Sequence, residues 1–407
     1  MILVKPIRFV HASDAHLGYM QYNLLERQED FLKAFEEFIE NTKELSPDFV
    51  IFAGDLFNDP HPSNLVLSSA IDQIDSLKIP FLVVPGSHDN IYSALVGTVL
   101  DPLHRGRHIH YLPVKPYKHE NIYVYGMTNF RRRADFEKAR DEYFKARPPE
   151  PKEKYNIFVL HQGVDFPKLN LHPNEVEILP GELPKGFQYY AAGHLHVPVD
   201  FKFDNGIFAY SGSLETFEYT QYPHGKGFYL VEVDADGETS IKRVNLACYR
   251  KFNIIEEDFT GLKLPEIEEK ATRLVLKADE KGAILVLVLT GTLPHGASRA
   301  DINYDSLKTA ASKALYVHIV NKLKTPEETT GPIAIAGAET IFSRAGKKLS
   351  EYYKDQFQEQ ASKYADFTVE LVKILADKAM KSKERKNTAE TKIDEFYGIK
   401  KEEARKK

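Results

Sequence analysis

Five short apolar runs in the first half of the chain each stop on a cluster of Asp, His, Ser or Gly. Residues 8–13 lead into Asp14-Ala15-His16, residues 49–53 into Gly54-Asp55, and residues 81–85 into Gly86-Ser87-His88-Asp89. Residues 157–160 lead into His161, and residues 189–192 into Gly193-His194-Leu195-His196. Runs of this length, rich in Val, Ile, Phe and Tyr, read as strands. Between the first two, Leu24, Phe31, Leu32, Phe35, Phe38 and Ile39 recur at helical spacing within 24–45, and a second helical stretch at 65–77 precedes the third. Such alternation implies parallel strands joined by right-handed crossovers. In an open α/β sheet the carboxyl ends of the strands form the crevice that binds ligands, so the five clusters can meet at one edge. Turn signals at Asp204-Asn205-Gly206 and Asp236-Gly237 add antiparallel strands further on.

The residue types at these ends select a chemistry. A single Asp or His at a strand end is commonly a turn former or a hydrogen-bonded core group. Five in series, beside Gly54, Gly86 and Gly193 that allow close backbone approach, point to a metal centre. The chain has one cysteine, Cys248, which can make neither an internal disulfide nor a thiolate cluster, so the ligands must be oxygen and imidazole nitrogen. That donor set suits Mn, Fe or Zn. In Asp14-x-His16 and His194-x-His196 the intervening residue puts two side chains on one side of an extended segment, and the two oxygens of Asp55 can bridge two ions. A net charge of -5 argues against binding nucleic acid by bulk attraction. Local basic groups remain as candidates for contacting nucleic acid: Arg105, Arg107, Arg131, Arg132 and Arg133. His104, His108 and His110, beside the first two, read equally as phosphate contacts or plain surface, and His11 as a packed strand residue. The apolar runs at 49–53 and 283–289 are far short of the roughly 20 residues of a membrane span, and no leader pattern is seen. A prokaryotic, cytoplasmic protein is expected.

Ser13-Asp14-Ala15-His16-Leu17-Gly18, Gly54-Asp55-Leu56-Phe57, Gly86-Ser87-His88-Asp89, His161-Gln162-Gly163 and Gly193-His194-Leu195-His196 together resemble the calcineurin-like metallophosphoesterase signature. The Asp-x-His-Leu-Gly and Gly-Asp-Leu-Phe forms, with residues 27–31, Gly212-Ser213-Leu214-Glu215 and residues 227–232, resemble the SbcD and meiotic recombination 11 nucleases of double-strand-break repair. The resemblance runs by motif over residues 7–235 and beyond that by layout. It implies a four-layer α/β/β/α nuclease domain at 1–248, a small α/β capping domain that binds DNA at 249–326, a linker at 327–338 and a helical arm at 339–381. In the family that arm binds a coiled-coil, SMC-like ABC-type ATPase. Composition marks 382–407 as a charged flexible tail. The resemblance further implies two divalent ions, most simply Mn. Asp14, His16, His196 and a shared Asp55 would hold one, and Asp55, His161, His194 and Ser87 the other. His88 would orient the phosphate or protonate the leaving oxygen, with Asp89 holding it. A homodimer is expected through 65–77 or 94–103.

Two positions depart from the pattern. Ser87 stands where the family usually has Asn, and Asn58 where it often has a second His, with His61 three residues on as a substitute. In the tail, Glu390, Ile393, Phe396 and Tyr397 resemble the short motif by which repair proteins dock on a sliding clamp. The reading is therefore a Mn-dependent DNA exo- and endonuclease. The alternatives are a phosphatase or cyclic-nucleotide phosphodiesterase on the same metals, or a scaffold weakened through Ser87 and Asn58.

Overall fold

A computed structural model describes residues 5–90, 98–103, 109–151, 154–329, 345–346, 348–354, 357, 360–377 and 380–397. Its first sheet runs β12 (Thr239–Asn245), β11 (Gly227–Val233), β1 (Ile7–Ala12), β2 (Phe49–Phe52), β3 (Phe81–Val83), β4 (Ile109–Tyr111). The second runs β5 (Tyr117–His119), β6 (Ile122–Gly126), β7 (Tyr155–His161), β8 (Tyr189–Gly193), β10 (Gly206–Tyr210), β9 (Val199–Phe203). β1 to β4 pair in parallel in sequence order, as do β6, β7 and β8, while the turn at Asp204-Asn205 joins an antiparallel pair.

The strand period of two sorts side chains into layers. On β1 and β2, Val10, Ala12, Val50 and Phe52 turn outward onto α1 (Leu25–Leu45) and α2 (Asn64–Ser76). Ile7, Phe9, Phe49 and Ile51 turn the other way, against Ile157, Val159 and Tyr189 of the second sheet. The outer face of that sheet, with Phe158, Leu160 and Tyr190, buries Phe136 of the helix Arg133–Ala146. Helix, sheet, sheet, helix is the four-layer α/β order. α1 fits its place because Phe31, Ala34, Phe35, Phe38 and Ile39, all buried, make one apolar stripe. α2 is started by Ser63, whose hydroxyl accepts from the Val66 amide at 3.3 Å.

Contacts divide the chain into two compact units: Met1–Glu256 with Lys270–Val288 and Tyr304–Val320, and Glu257–Glu269 with Leu289–Asn303 and Asn321–Lys407. The position at 249 expected to open a second domain falls inside the first unit. A third sheet, β13 (Phe252–Asp258), β14 (Ile284–Thr290) and β15 (Tyr316–Asn321), has the apolar run at 283–289 as its buried central strand. In the second unit the helix Ala361–Ala376 packs on a helix Ser382–Tyr397, with Phe396 stacked on Phe367 at 3.8 Å between ring centroids. The flexible tail expected from 382 is thus helical as far as Tyr397. Its charge count hid two apolar positions, Ala389, which is buried, and Phe396, which stacks on the preceding helix. Arg105, Arg107, His104 and His108 lie outside the described residues, as do 94–97 of the 94–103 stretch and 330–338 of the 327–338 stretch. Among the described residues no helix is long and apolar enough to cross a membrane.

Candidate metal centre

The five clusters meet where β1, β2, β3, β7 and β8 end. Backbone bonds knit their loops: Asp14 N–H donates to Gly54 O at 3.0 Å and His16 N–H to Asp55 O at 3.0 Å. Asp14, His16, Asp55 and His194 all have positive φ, at 57°, 44°, 52° and 95°. Non-glycine residues held there cost of order 1–3 kcal/mol each and concentrate at functional sites. Close packing explains the glycines. A Cβ on Gly54 would collide with the His161 ring, one on Gly86 with the Asp55 carboxylate, and one on Gly193 with Ala53 O.

The polar side chains are buried and aimed inward. Asp14, Asp55, His16 and His161 are at most 2% exposed. Nε2 of His161 lies 3.2 Å from Asp55 Oδ2, Nε2 of His196 3.4 Å from Asp14 Oδ1, and Nε2 of His16 3.2 Å from Nε2 of His196. Three groups of three ligands, each with its donor atoms within 4.8 Å of one another, share members: Asp14, His16, His196; His16, Asp55, His88; and Asp14, Asp55, His161. His194 lines the same cavity, edge-on to His161 at 5.3 Å, but outside these groups. Ser87 lies at the rim, its hydroxyl 3.3 Å from Asp55 Oδ2.

Whether these residues fit divalent ions is decided by their far sides. Nδ1 of His161 faces the carbonyl of Ala53 at 2.8 Å, and Nδ1 of His88 that of Asn58 at 2.9 Å. A carbonyl can only accept, so both Nδ1 atoms carry a proton and both Nε2 atoms are left to face the cavity. Nε2 of His161 has no hydrogen-bond partner although it is buried. Charge tells the same story. Burial raises the Asp14 carboxyl, yet the fields of His196 and His161 outweigh it and hold Asp14 at about 2. Asp55 is likewise held below its ordinary range, against burial, by His161 and His16. Burial lowers His161, but Asp55 and Asp14 outweigh that and raise it to about 10, while burial takes His16 down to about 3. Two buried carboxylates stay ionised only beside positive charge, and a centre of orphaned nitrogens and anionic oxygens is the donor set a pair of divalent ions satisfies.

Other expected residues fall elsewhere. Asp89 does not touch the His88 ring. Its carboxylate accepts from the amides of Leu56, Phe57 and Gly86 at 3.1, 2.8 and 3.0 Å, which clamps the β3 loop to the β2 loop. Burial beside Asp55 raises it to about 7. The Asn58 side chain is not what meets His88; its backbone carbonyl is. His61 has a side chain 74% exposed, 3.9 Å from Asp59, and is not among the residues that line the cavity. Arg132 and Arg133, both exposed at the start of the helix Arg133–Ala146, pair with Asp135 and with Glu137 and Glu182, and Arg131 lies exposed just before them. Ile393 and Tyr397 are partly exposed, but Phe396 sits against Phe367 and Tyr364.

Three residues outside the strand-end clusters complete the site. Phe217 packs on His16 at 4.4 Å and stacks on Tyr19 at 4.5 Å. Glu177 accepts from Gln162 Nε2 at 2.6 Å and from the Gly163 amide at 3.1 Å, fixing the loop after His161. Gln221 meets His196. The Gly212–Glu215 motif points to the neighbourhood of Phe217; nothing in sequence marks the other two. The centre floors a cavity of about 710 Å³ open along one side.

Residues 7–198 match the calcineurin-like phosphoesterase family. The DNA double-strand break repair protein Mre11 of Methanopyrus kandleri is 28% identical over 358 residues, 81% of this chain and 75% of that one. The protein of that name in Methanocaldococcus jannaschii is 32% identical over 261 residues, 59% of this chain and 67% of that one. The one in Sulfurisphaera tokodaii is 31% identical over 307 residues, 71% and 74% of the two chains. With five strand-end clusters gathered on one buried carboxylate–imidazole centre, this chain belongs to the SbcD/Mre11 family of calcineurin-like phosphoesterases.

Proposed function

We propose that the protein is a metal-dependent DNA nuclease of double-strand-break repair, hydrolysing phosphodiesters with two Mn ions as exonuclease and endonuclease. The observation that carries the reading is the pair of inward Nε2 atoms on His161 and His88, each ring anchored through Nδ1 to a backbone carbonyl, around ionised, buried Asp14 and Asp55. Asp14, His16, His196 and Asp55 would hold one ion, and Asp55, His161, His194 and Ser87 the other. When bound, such a pair activates a water and neutralises charge developing on the phosphate. The chain's own groups do the rest. His88, anchored through Nδ1, lines the same cavity as His16, Asp55, Ser87, His194 and His196. In its protonated form that nitrogen donates to a phosphate oxygen or to the leaving 3′ oxygen. Phe217 backs the His16 ring and fixes its tilt.

The domain plan follows the family: a nuclease domain at 1–248, a DNA-binding cap at 249–326, and a helical arm at 339–381 for a coiled-coil ABC-type ATPase. The working unit is a homodimer in the cytoplasm, at the nucleoid. Docking of the tail on a sliding clamp would need Phe396 to leave Phe367.

The test is cleavage of end-labelled linear and hairpin DNA with added Mn. The parent is expected to cut and His88→Ala to lose at least about 100-fold in rate, as removal of a general acid does. Ser87→Asn, which offers an amide oxygen to the second ion, is expected to cut faster. Failure of both parent and Ser87→Asn at saturating Mn, or faster hydrolysis of small phosphomonoesters than of DNA, overturns the nuclease reading.

A further inference from the structure

His161 and His88 are oriented by backbone carbonyls, which no side-chain substitution removes. His196 differs. Its Nδ1 lies 2.9 Å from Oε1 of Gln221, a side chain on the short 3-10 helix Tyr219–His224. That amide is not free to turn over. The backbone N–H of Glu218 also ends on Oε1, at 3.3 Å, and an N–H needs an oxygen, so the amide oxygen faces both donors. Nδ1 of His196 therefore carries a proton, and Nε2 is turned toward His16 and Asp14.

The backbone of Gln221 is held as well. Lys226, with 0% exposure, donates to Gln221 O at 3.3 Å and to Ser213 Oγ at 3.0 Å. A buried ammonium cannot trade those acceptors for water, so it resists any shift of the helix. The chain of contacts runs from Lys226 to Gln221, to His196, to the carboxylate of Asp14.

We propose that Gln221 is a positioning residue for His196. It fixes the tautomer and tilt of that ring, and so preorganises the metal position at Asp14, His16 and His196. This rests on the two-metal reading above and adds to it an asymmetry: one position is tuned by a side chain on the Tyr219–His224 helix, the other by Ser87.

The experiment uses the full chain and Mn alone. Parent, Gln221→Met and Gln221→Glu are titrated with Mn, following heat and the electron paramagnetic resonance of free ion, and the metal-free proteins are examined by imidazole ¹⁵N spectra. Resonances of His196 are assigned with His196→Gln. The parent should bind two ions and, free of metal, show a single His196 form with Nδ1 protonated. Gln221→Met should lose affinity for one ion by about 10–100-fold, keep the other, and show averaged tautomers. Gln221→Glu, which still accepts from both donors, should restore affinity and spectrum. If Gln221→Met binds both ions like the parent and keeps the tautomer, the role of Gln221 is overturned and the metal centre stands. A parent that binds no ion overturns the metal-centre reading itself.

Discussion

At the scale of single residues, what matters is how little room the centre leaves. Gly54 has φ of +91° and no space for a methyl group, because the ring of His161 is already there. Gly54→Ala should therefore cost about 3 kcal/mol or more and abolish metal uptake together, read as the urea midpoint and as Mn bound per chain. His11 is a buried histidine of a different kind. It is not in the cavity, its Nδ1 is 2.9 Å from the Tyr189 hydroxyl, and burial takes it down to about 3. Its folded value lies below its ordinary 6.5, so the unfolded chain binds the proton first. The stability it contributes is full above 6.5 and is lost as pH falls from there through about 3. His11→Gln keeps an acceptor for the hydroxyl and cannot titrate. The melting temperature of this variant should fall less between pH 7 and pH 4.5 than the parent's; an unchanged slope would count against the assignment.

At the scale of elements, α1 is held by charge as well as by its apolar stripe. Arg27, fully buried, donates to Gln21 Oε1 at 2.8 Å, Asp30 Oδ2 at 2.6 Å, Glu215 Oε1 at 3.2 Å and Thr216 O at 2.9 Å. Arg250, just before β13, shares Asp30, and its amide donates to Glu215. Because Glu215 and Thr216 immediately precede Phe217, this network sets the wall behind His16. Arg27→Met leaves two buried carboxylates short of a partner and should destabilise the fold by about 3–5 kcal/mol, measured by urea unfolding. The last described helix, Ser382–Tyr397, shows the opposite balance. It has one aromatic anchor and a charged outer face, so Phe396→Ala should raise amide exchange across Ser382–Tyr397 while the strands of the first unit exchange as before.

For the whole molecule the metal centre is a joint between two sheets. Asp14, His16, Asp55 and His88 come from the first, and His161, His194 and His196 follow strands of the second. Ions that neutralise both sets bind the folded chain alone, so Mn at about 100 times its dissociation constant should add about 2.7 kcal/mol. That corresponds to a rise in melting temperature of roughly 3 °C for a chain of this size, reversed by a chelator. Asp55→Asn, which removes the oxygen between the two sets, should abolish the rise.

The strand ends, the two front helices and their order were legible in the sequence, since they follow from period, residue type and the short reach of the chain between β1, β2 and β3. So was the list of inward Asp and His groups, because few chemistries need five such clusters. Tertiary structure alone decided the rest. The partner of His88 is a backbone carbonyl, and that of His196 is a glutamine 25 residues away, and neither leaves a mark in a pattern of residue types. Asp89 was expected at His88 and binds three amides instead, because the loop curls those N–H groups around it. The tail looked too charged to fold until a neighbouring helix supplied the face its few apolar side chains needed. Periodicity reports which way a side chain points along its own element; what it meets there depends on every other element, and only the folded chain brings those together.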